Sequence, residues 1–395
     1  MTTVSRATLE TPILDATLPS LLHQISEEGG YAFSSMATRA AAGDTRAAEA
    51  AREVAWEQLH SGPWHSVVPI WRDAYAMACL HVAKHQFSSG EFKLALRALD
   101  MGLIMGGLTL RDDLNLCIGK VSVALREKEF SDNGGGEQNG MFNLDPKAVT
   151  SLWLYLGFDM QVVKLLPVKS LSCKTVEKKC GLSLEGFLRE HFVSGSPVII
   201  TDAMNHWPAK DRWNDMNYLN KVAGFRTVPV EVGKNYLSPD WKQELITFSE
   251  FLERIQSSDC SSAGLTYLAQ HQLFDQIQEL KQDIVVPDYC FAGGGEIRSL
   301  NAWFGPPGTV TPLHHDPHNN ILAQTVSWIY SVLVDLDNID EREFSRMLDL
   351  EFLDCILEEG EMLYIPPKWW HYVRSLTPSF SVSFWWSDEV NSPES

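Results

Sequence analysis

The spacing of apolar residues changes abruptly along the chain. Up to about Arg126, apolar side chains recur at helical spacing, whereas from about Val168 short β-branched runs alternate with turns. Between the two parts lies Ser131–Gly140, SDNGGGEQNG, which contains four glycines and almost no apolar side chains. Such a segment cannot bury enough surface to join a core. The sequence therefore predicts a helical domain followed by a separate β-rich domain.

The predicted class is α+β, and 395 residues are enough for two separate cores. We expect an α-helical domain over 1–130, a flexible Gly-rich linker over 131–145, a helical connection over 146–167 and a β-rich domain over 168–395. Short strands between turns favour a sandwich or jelly roll with flanking helices. The strands expected are Thr227–Val232, Leu265–Gln270, Ile297–Phe304, Thr311–Gln324, Glu361–Ile365 and Ser379–Trp386.

The helical part contains one recognisable helix pair, Pro69–Gln86 followed by Glu91–Met105. The pair resembles a single tetratricopeptide-like unit, but no further copies follow at a fixed period. Two interpretations remain open. The domain is either a packed helical body whose Trp56, Trp64 and Trp71 fill its core, or a module that binds partner proteins.

Composition excludes several classes of protein. The net charge of −19 disfavours direct binding to nucleic acid and favours a basic partner. No run approaches the roughly 18 apolar residues of a membrane span, and the first residues lack the pattern of a secretory signal, so a soluble intracellular protein is expected. Seven scattered cysteines without a C-x-x-C pair argue against disulfides and against a tetrahedral zinc site.

The strongest chemical signal is TVTPLHHDPHNNILAQ, residues Thr309–Gln324. In a strand, His314 and Asp316 would point to the same face and could reach one metal ion. Iron(II) oxygenases use two imidazoles and one carboxylate on one side of the metal. An isolated H-x-D is equally compatible with a solvated turn, so the interpretation depends on finding a third ligand.

His371 is the candidate for that third ligand. It lies in GEMLYIPPKWWHYVRS, where a predicted strand ends at Pro366 and an aromatic run leads into the histidine. A histidine between Trp370 and Tyr372 is also typical of a hydrogen-bonded core residue. A barrel that brought His371 to His314 and Asp316 would favour the ligand interpretation.

Several longer motifs resemble a known family. Ser183–Ser387 is similar to the JmjC domain of 2-oxoglutarate-dependent iron(II) oxygenases, through GSPVIITDAMNHWPAKDRW, YLAQHQLFDQI, PLHHDPHNN, GEMLYIPPKWWHYVRSL and SFSVSFWWS. Within that family it resembles the lysine demethylase 8 subgroup in its plant form, and the helical half is similar as well. The resemblance implies that the β-rich domain is a double-stranded β-helix.

The resemblance also implies roles for individual residues. His314, Asp316 and His371 would hold Fe²⁺, with 2-oxoglutarate and O₂ as co-substrates. Tyr267, Thr311 and Asn320 match positions that hydrogen-bond 2-oxoglutarate, and Trp303 matches an aromatic wall of that pocket. His315, between two ligands, would face away from the metal.

The implied reaction is oxidation of a C–H bond coupled to decarboxylation of 2-oxoglutarate. Demethylation of lysine on a histone H3 tail is the leading expectation, in the nucleus and also the cytoplasm, with a role in transcription and, for plant members, in clock-linked regulation. Hydroxylation of arginine or another side chain is the alternative within the enzyme class. The helical domain would recruit protein partners.

One segment departs from the family. After NNILAQ the family continues with a glycine and a basic pair whose lysine meets the far carboxylate of 2-oxoglutarate, and then a long loop. Here TVSWIYSVLVDLDN follows, with Ile329 in place of that lysine. Such a break indicates an alternative splice product or a misread gene model. It predicts a catalytically weak form, or an interaction scaffold, unless Lys368 or Arg374 supplies the missing charge.

Overall fold

The computed structural model describes residues 8–132, 174–256, 265–326, 329–332 and 352–387, with 329–332 described through their backbone. The chain forms two compact units. One contains the first six helices together with Phe225–Thr227, and the other contains the strands. The expected helical connection over 146–167 lies outside the described residues, as does the expected linker from residue 133 onward.

The helical unit consists of consecutive helices joined by short turns. These are α1 Pro12–Glu27, α2 Tyr31–Ala41, α3 Thr45–Leu59, α4 Ile70–Ser88, α5 Phe92–Met105 and α6 Arg111–Asp132. The Ala- and Glu-rich α3 begins at Asp44, whose carboxylate accepts from the Ala47 amide at 3.1 Å. The core contains Trp71, with Trp56 partly buried against it, but Trp64 is 77% exposed. The expected core role of Trp64 is wrong, because it lies in a 3₁₀ turn behind Pro63.

The start of α1 is capped from a distant part of the chain. Thr11 provides no side-chain cap, and the buried Asp113 of α6 instead accepts from the amides of Ile13 at 3.2 Å and Leu14 at 2.7 Å. These amides would otherwise have no acceptor, since the first turn of a helix lacks internal partners. The first and last helices of the unit are therefore tied by one carboxylate.

Replacing Asp113 with alanine is expected to lower the free energy of unfolding of the helical unit by about 2–4 kcal/mol, because two buried amides lose a charged acceptor. Chemical denaturation followed by circular dichroism measures the loss. Asp112→Ala is the matched control, since Asp112 lies in the same first turn but is exposed. Equal losses in the two variants would contradict the role given to Asp113.

The second unit is a β structure with short helices at its periphery. Its strands are β1 Lys178–Lys179, β2 Val198–Ile200, β3 Thr227–Val232, β4 Lys242–Thr247, β5 Thr266–His271, β6 Glu296–Gly305, β7 Val310–His315, β8 Asn319–Val326, β9 Ile329–Val332, β10 Asp354–Leu357, β11 Met362–Ile365, β12 Trp370–Ser375 and β13 Ser379–Ser387. Within the described ranges they form a larger sheet, β1-β2-β11-β8-β13-β6-β5-β3-β4, and a smaller sheet, β10-β9-β12-β7. The α+β class is confirmed.

The helices of this unit are short. They are α7 Leu184–Phe187, α8 Ala209–Arg212, α9 Met216–Ala223, α10 Phe248–Gln256, α11 Leu273–Gln276 and α12 Gln278–Lys281. Ser183 caps α7 by accepting from the Gly186 amide at 3.1 Å, as its position in the sequence predicts. No helix in the described part of the chain combines the length and apolarity needed to cross a membrane.

One predicted strand is in fact two. The expected continuous strand Thr311–Gln324 is interrupted after His315, where β7 ends, and pairing resumes at Asn319 in β8. Pro317 has no amide to give to a ladder, so a turn forms there. Asp316 therefore lies just past the end of a strand, and the argument from alternation within one strand was wrong in its detail.

An aromatic core supports the larger sheet. β13 pairs along its length with β6 on one side and β8 on the other, and Phe380 lies directly opposite Phe304. Their rings stack with centroids 4.4 Å apart, and Trp213 stacks on the other face of Phe380 at 4.3 Å. This packing fixes the positions of β6 and β8, which carry candidate site residues.

Candidate functional site

Two neighbouring strands of the smaller sheet bring the histidines together. β7 and β12 are antiparallel, and His314 lies directly opposite His371 in their register, with ring centroids 4.1 Å apart. The turn after β7 then carries Asp316 to the same place, so that its Oδ2 lies 3.7 Å from Nε2 of His371. One potential ligand atom from each of the three residues lies within 4.8 Å of the others.

The orientation of both imidazoles is fixed by backbone carbonyls. Nδ1 of His314 lies 2.7 Å from the Pro312 oxygen, and Nδ1 of His371 lies 2.9 Å from the Trp369 oxygen. Each Nδ1 must carry the proton to make these hydrogen bonds, which leaves Nε2 with a free lone pair. This is the arrangement that metal-binding histidines generally adopt.

The surroundings keep His371 neutral. It is 4% exposed, and burial, with the neighbouring His314 ring as a second cause, lowers the pKa of His371 well below its ordinary value. A neutral imidazole is the form that binds metals. Asp316, 7% exposed, adds the one carboxylate of the group.

These groups fit an iron(II) ion. The set comprises two imidazole nitrogens and one carboxylate oxygen, Asp316 and His371 are buried while His314 is partly buried, and the ring orientations are already set. Two histidines and one carboxylate on one side of a metal leave the opposite positions free for other ligands, which is the pattern of non-haem iron(II) oxygenases. Among the described residues no other group of three His, Cys, Asp or Glu side chains meets the same distance criterion.

The three residues line a partly open cavity between the two sheets, with about 390 Å³ of space when the part open to solvent is included. The cavity receives side chains from both sheets, and apolar residues make up part of its wall. Besides the three ligand candidates, the described residues that line it are Tyr267, Trp303, Thr311, Asn320, Leu322, Ile365, Val373, Ser381 and Ser383. All four residues that the sequence assigned to the co-substrate pocket therefore lie at this cavity.

The polar atoms of these four residues differ in whether they already have a hydrogen-bond partner. Burial raises the pKa of Tyr267, whose hydroxyl hydrogen-bonds Thr311, and the Trp303 indole donates to Ser383 at 2.9 Å. Asn320 donates weakly to Asp316 at 3.4 Å, while its side-chain oxygen is buried without a hydrogen-bond partner. A buried amide in this state favours a ligand, because an unpaired polar atom costs free energy.

The cavity does not supply an obvious cation. None of the described lining residues is Lys or Arg. Lys368 is exposed in a turn, and Arg374 alternates along β12 with the lining residue Val373, so neither lines the cavity. Among the described residues, 2-oxoglutarate would find hydrogen-bonding partners at this cavity, but its far carboxylate would find no opposite charge.

Two serines at this site were not predicted from the sequence. Ser381 and Ser383 lie on alternate positions of β13 and face the cavity, where Ser381 donates to Gln324 at 2.7 Å and Ser383 accepts from Trp303. A signal was present in SFSVSFWW, because small polar residues recur every second position within an otherwise apolar strand. His315 faces away, as predicted, and its exposed ring packs edge-on against Trp370.

A β structure of two sheets with two histidines and an aspartate at one cavity is the arrangement expected of a cupin-like protein. Comparison with protein families agrees with this class. A model described as "Cupin-like domain" matches residues 184–328 and 325–392, and a model described as "KDM8-like, N-terminal ARM repeats" matches residues 11–135.

Similarity to individual proteins identifies the family within the cupin-like class. Lysine-specific demethylase JMJ30 of Arabidopsis thaliana is 59% identical over 98% of this chain and 96% of its own length. Lysine-specific demethylase 8 of Xenopus tropicalis is 34% identical over 85% and 87%, and Jumonji C domain-containing protein 5 of Drosophila melanogaster is 33% identical over 84% of each chain. The chain therefore belongs to the JmjC family of lysine-specific demethylase 8.

The comparisons also bear on the break after Gln324. The alignment with the Arabidopsis relative has 414 positions, more than the 395 residues of this chain, so the relative has residues that this chain lacks. The cupin-like match falls into two pieces that meet at residues 325–328. The two-piece match agrees with a missing segment at the point where the sequence departs from its family, whereas the alignment length does not locate the missing residues.

Proposed function

We propose that this chain is an iron(II)- and 2-oxoglutarate-dependent oxygenase that acts on protein side chains, with methylated lysine of a histone H3 tail as the leading substrate. The observation that carries the proposal is the group of His314, Asp316 and His371 that lines a partly open cavity between the two sheets. Iron would supply activation of dioxygen at this place. Family membership, with relatives named lysine-specific demethylases, supports the same reaction class.

In this reaction the protein's own residues would bind the co-substrate and exclude water. Asn320, Tyr267 and Thr311 would hydrogen-bond 2-oxoglutarate, and Trp303 would form a wall beside it. The cavity would exclude water and keep the C–H bond to be oxidised close to the metal.

A carboxylate beside the cavity supports a cationic substrate. Glu231 of β3 lies directly opposite Tyr267 of β5, so both residues are on the same face of the sheet. The net charge of −19 would likewise attract a Lys- and Arg-rich tail.

Mass spectrometry of peptides separates the two enzymatic outcomes. The purified chain with Fe(II), ascorbate, O₂ and 2-oxoglutarate is expected to remove about 14 Da per methyl group from methylated histone H3 peptides. A gain of about 16 Da on an arginine or another side chain would instead establish the hydroxylase alternative. Absence of both products at saturating 2-oxoglutarate would contradict the proposed function.

A non-catalytic role is the second candidate. The observation that favours it is the lack of Lys or Arg among the described residues that line the cavity. In that case the barrel would serve as a scaffold and the helical unit would recruit partner proteins. We place either function in the nucleus, and also the cytoplasm, in transcriptional and clock-linked regulation, on the basis of the family alone.

A further inference from the structure

We infer that Trp369 is a positioning residue for the metal site, which holds the His371 imidazole through its backbone carbonyl while its indole is anchored elsewhere in the unit. The inference rests on the proposed metal site and goes beyond it, because Trp369 neither lines the cavity nor offers a ligand atom. It concerns how one ligand keeps its orientation.

The contacts form a short chain. Nδ1 of His371 donates to the Trp369 oxygen at 2.9 Å, and Nε1 of the same tryptophan donates to the Gly195 oxygen at 2.9 Å. The indole also packs against an apolar cluster formed by Ile199, Leu322, Cys355, Leu357, Leu363 and Ile365. The residue that orients His371 is thus fixed through its side chain to a loop far away in sequence.

The two orienting carbonyls lie in different local structures. The carbonyl that orients His314 belongs to Pro312, which is inside β7 at the point where the register with β12 shifts. Trp369 precedes β12 and lies in a turn. Its carbonyl direction is therefore not set by strand pairing and depends on other contacts.

The turn itself is strained. Lys368 has φ 65°, a left-handed conformation that non-glycine residues adopt at a cost in free energy. The Lys368 amide donates to the backbone carbonyl oxygen of Asp316 at 2.8 Å. The same turn therefore contacts two of the three proposed ligands, and the indole bond to Gly195 opposes its relaxation. Loss of that bond would loosen both Asp316 and His371.

Cobalt(II) titration of the metal-free full chain tests the inference without turnover. Trp369→Phe keeps an aromatic ring at this position but removes the indole donor and part of the ring packing, and we expect Co(II) affinity to fall about 10–100-fold, as for other partners that orient metal-bound histidines. The Co(II) absorption bands should shift as well, since they report ligand geometry. Trp370→Phe is the matched control, because Trp370 is 55% exposed and packs on His315, and its affinity and spectrum should stay unchanged.

A second pair of variants tests the hydrogen bond between the Trp369 indole and the Gly195 carbonyl at its acceptor. This test does not require Trp369→Phe to fold. Gly195 carries the carbonyl that accepts from the Trp369 indole, and it has φ 63°. Gly195→Ala strains this backbone without a steric clash, because no atom lies within 4 Å of the added carbon. Gly181→Ala is equally strained, at φ 65° with equally open space, but Gly181 has no link to Trp369. We expect Gly195→Ala to weaken Co(II) binding more than Gly181→Ala.

The outcomes are distinct. Wild-type affinity and spectrum in both Trp369→Phe and Gly195→Ala would overturn the positioning role while leaving the proposed metal site intact. Failure of the unmodified chain to bind Co(II) would overturn the metal site and the positioning role together. Weaker binding confined to the Trp369 and Gly195 variants, with shifted absorption bands, supports the inference.

Discussion

Replacement of His371 with alanine is expected to lower Co(II) affinity by more than about 100-fold and to remove all turnover. The change deletes one of three protein ligands, a larger loss than deletion of a residue that only orients a ligand. Asp316→Ala should behave alike, because it removes the one carboxylate of the group. Titration of the metal-free protein with Co(II), followed by absorption, measures the effect.

The chain provides a closely matched control for this experiment. His315→Ala is the same substitution at the position between two proposed ligands, but His315 is exposed and packs on Trp370 outside the cavity. It should leave Co(II) affinity within about twofold of the unmodified chain, well below the effect of one lost orienting partner. Tight Co(II) binding by His371→Ala would show that the metal binds at a site that does not include His371.

The second large effect concerns the far end of the co-substrate. The unmodified chain is expected to bind 2-oxoglutarate weakly, and Ile329→Lys should tighten binding by about two to three orders of magnitude, the value of one buried charge partner. The backbone register supports this position. Residue 329 of β9 lies opposite Ser375 of β12, on the sheet face that also carries the cavity residue Val373.

Tyr330→Lys is the control, because it adds the same charge one residue along the strand. Residue 330 lies opposite Arg374, on the alternate face of the sheet, so a lysine there should not reach the cavity. Isothermal titration with 2-oxoglutarate and a non-reactive divalent metal measures binding, and succinate release measures turnover. Efficient turnover by the unmodified chain at ordinary 2-oxoglutarate levels would contradict the prediction.

Local patterns predicted much of the fold. β3 has the bounds Thr227–Val232 that its β-branched run indicates, and α5 ends at Met105, where the helical spacing stops. The sequence also identified His314 and His371, although they are 57 residues apart, because the resemblance supplied a barrel that brings them together. Periodicity alone could not, since the pairing of β7 with β12 depends on the whole sheet.

Other features have no signature in residue type. The oxygen atoms that orient the two histidines belong to the backbone of Pro312 and Trp369, and every residue has such an oxygen. The split of Thr311–Gln324 into two strands depends on Pro317, whose effect was overlooked when the segment was predicted as one continuous strand. The capping of α1 by Asp113 joins positions about a hundred residues apart, which no local window can detect.

The position of β13 has a consequence for how this protein is made. The strand is among the last described parts of the chain, yet it pairs on both sides, with β6 and with β8. Until the ribosome has released it, those two strands have a gap between them and expose unpaired amides and carbonyls. Such open edges invite pairing with other nascent chains. A message truncated before codon 379 would therefore yield an aggregating product rather than a smaller working barrel, and chaperone demand should peak near the end of synthesis.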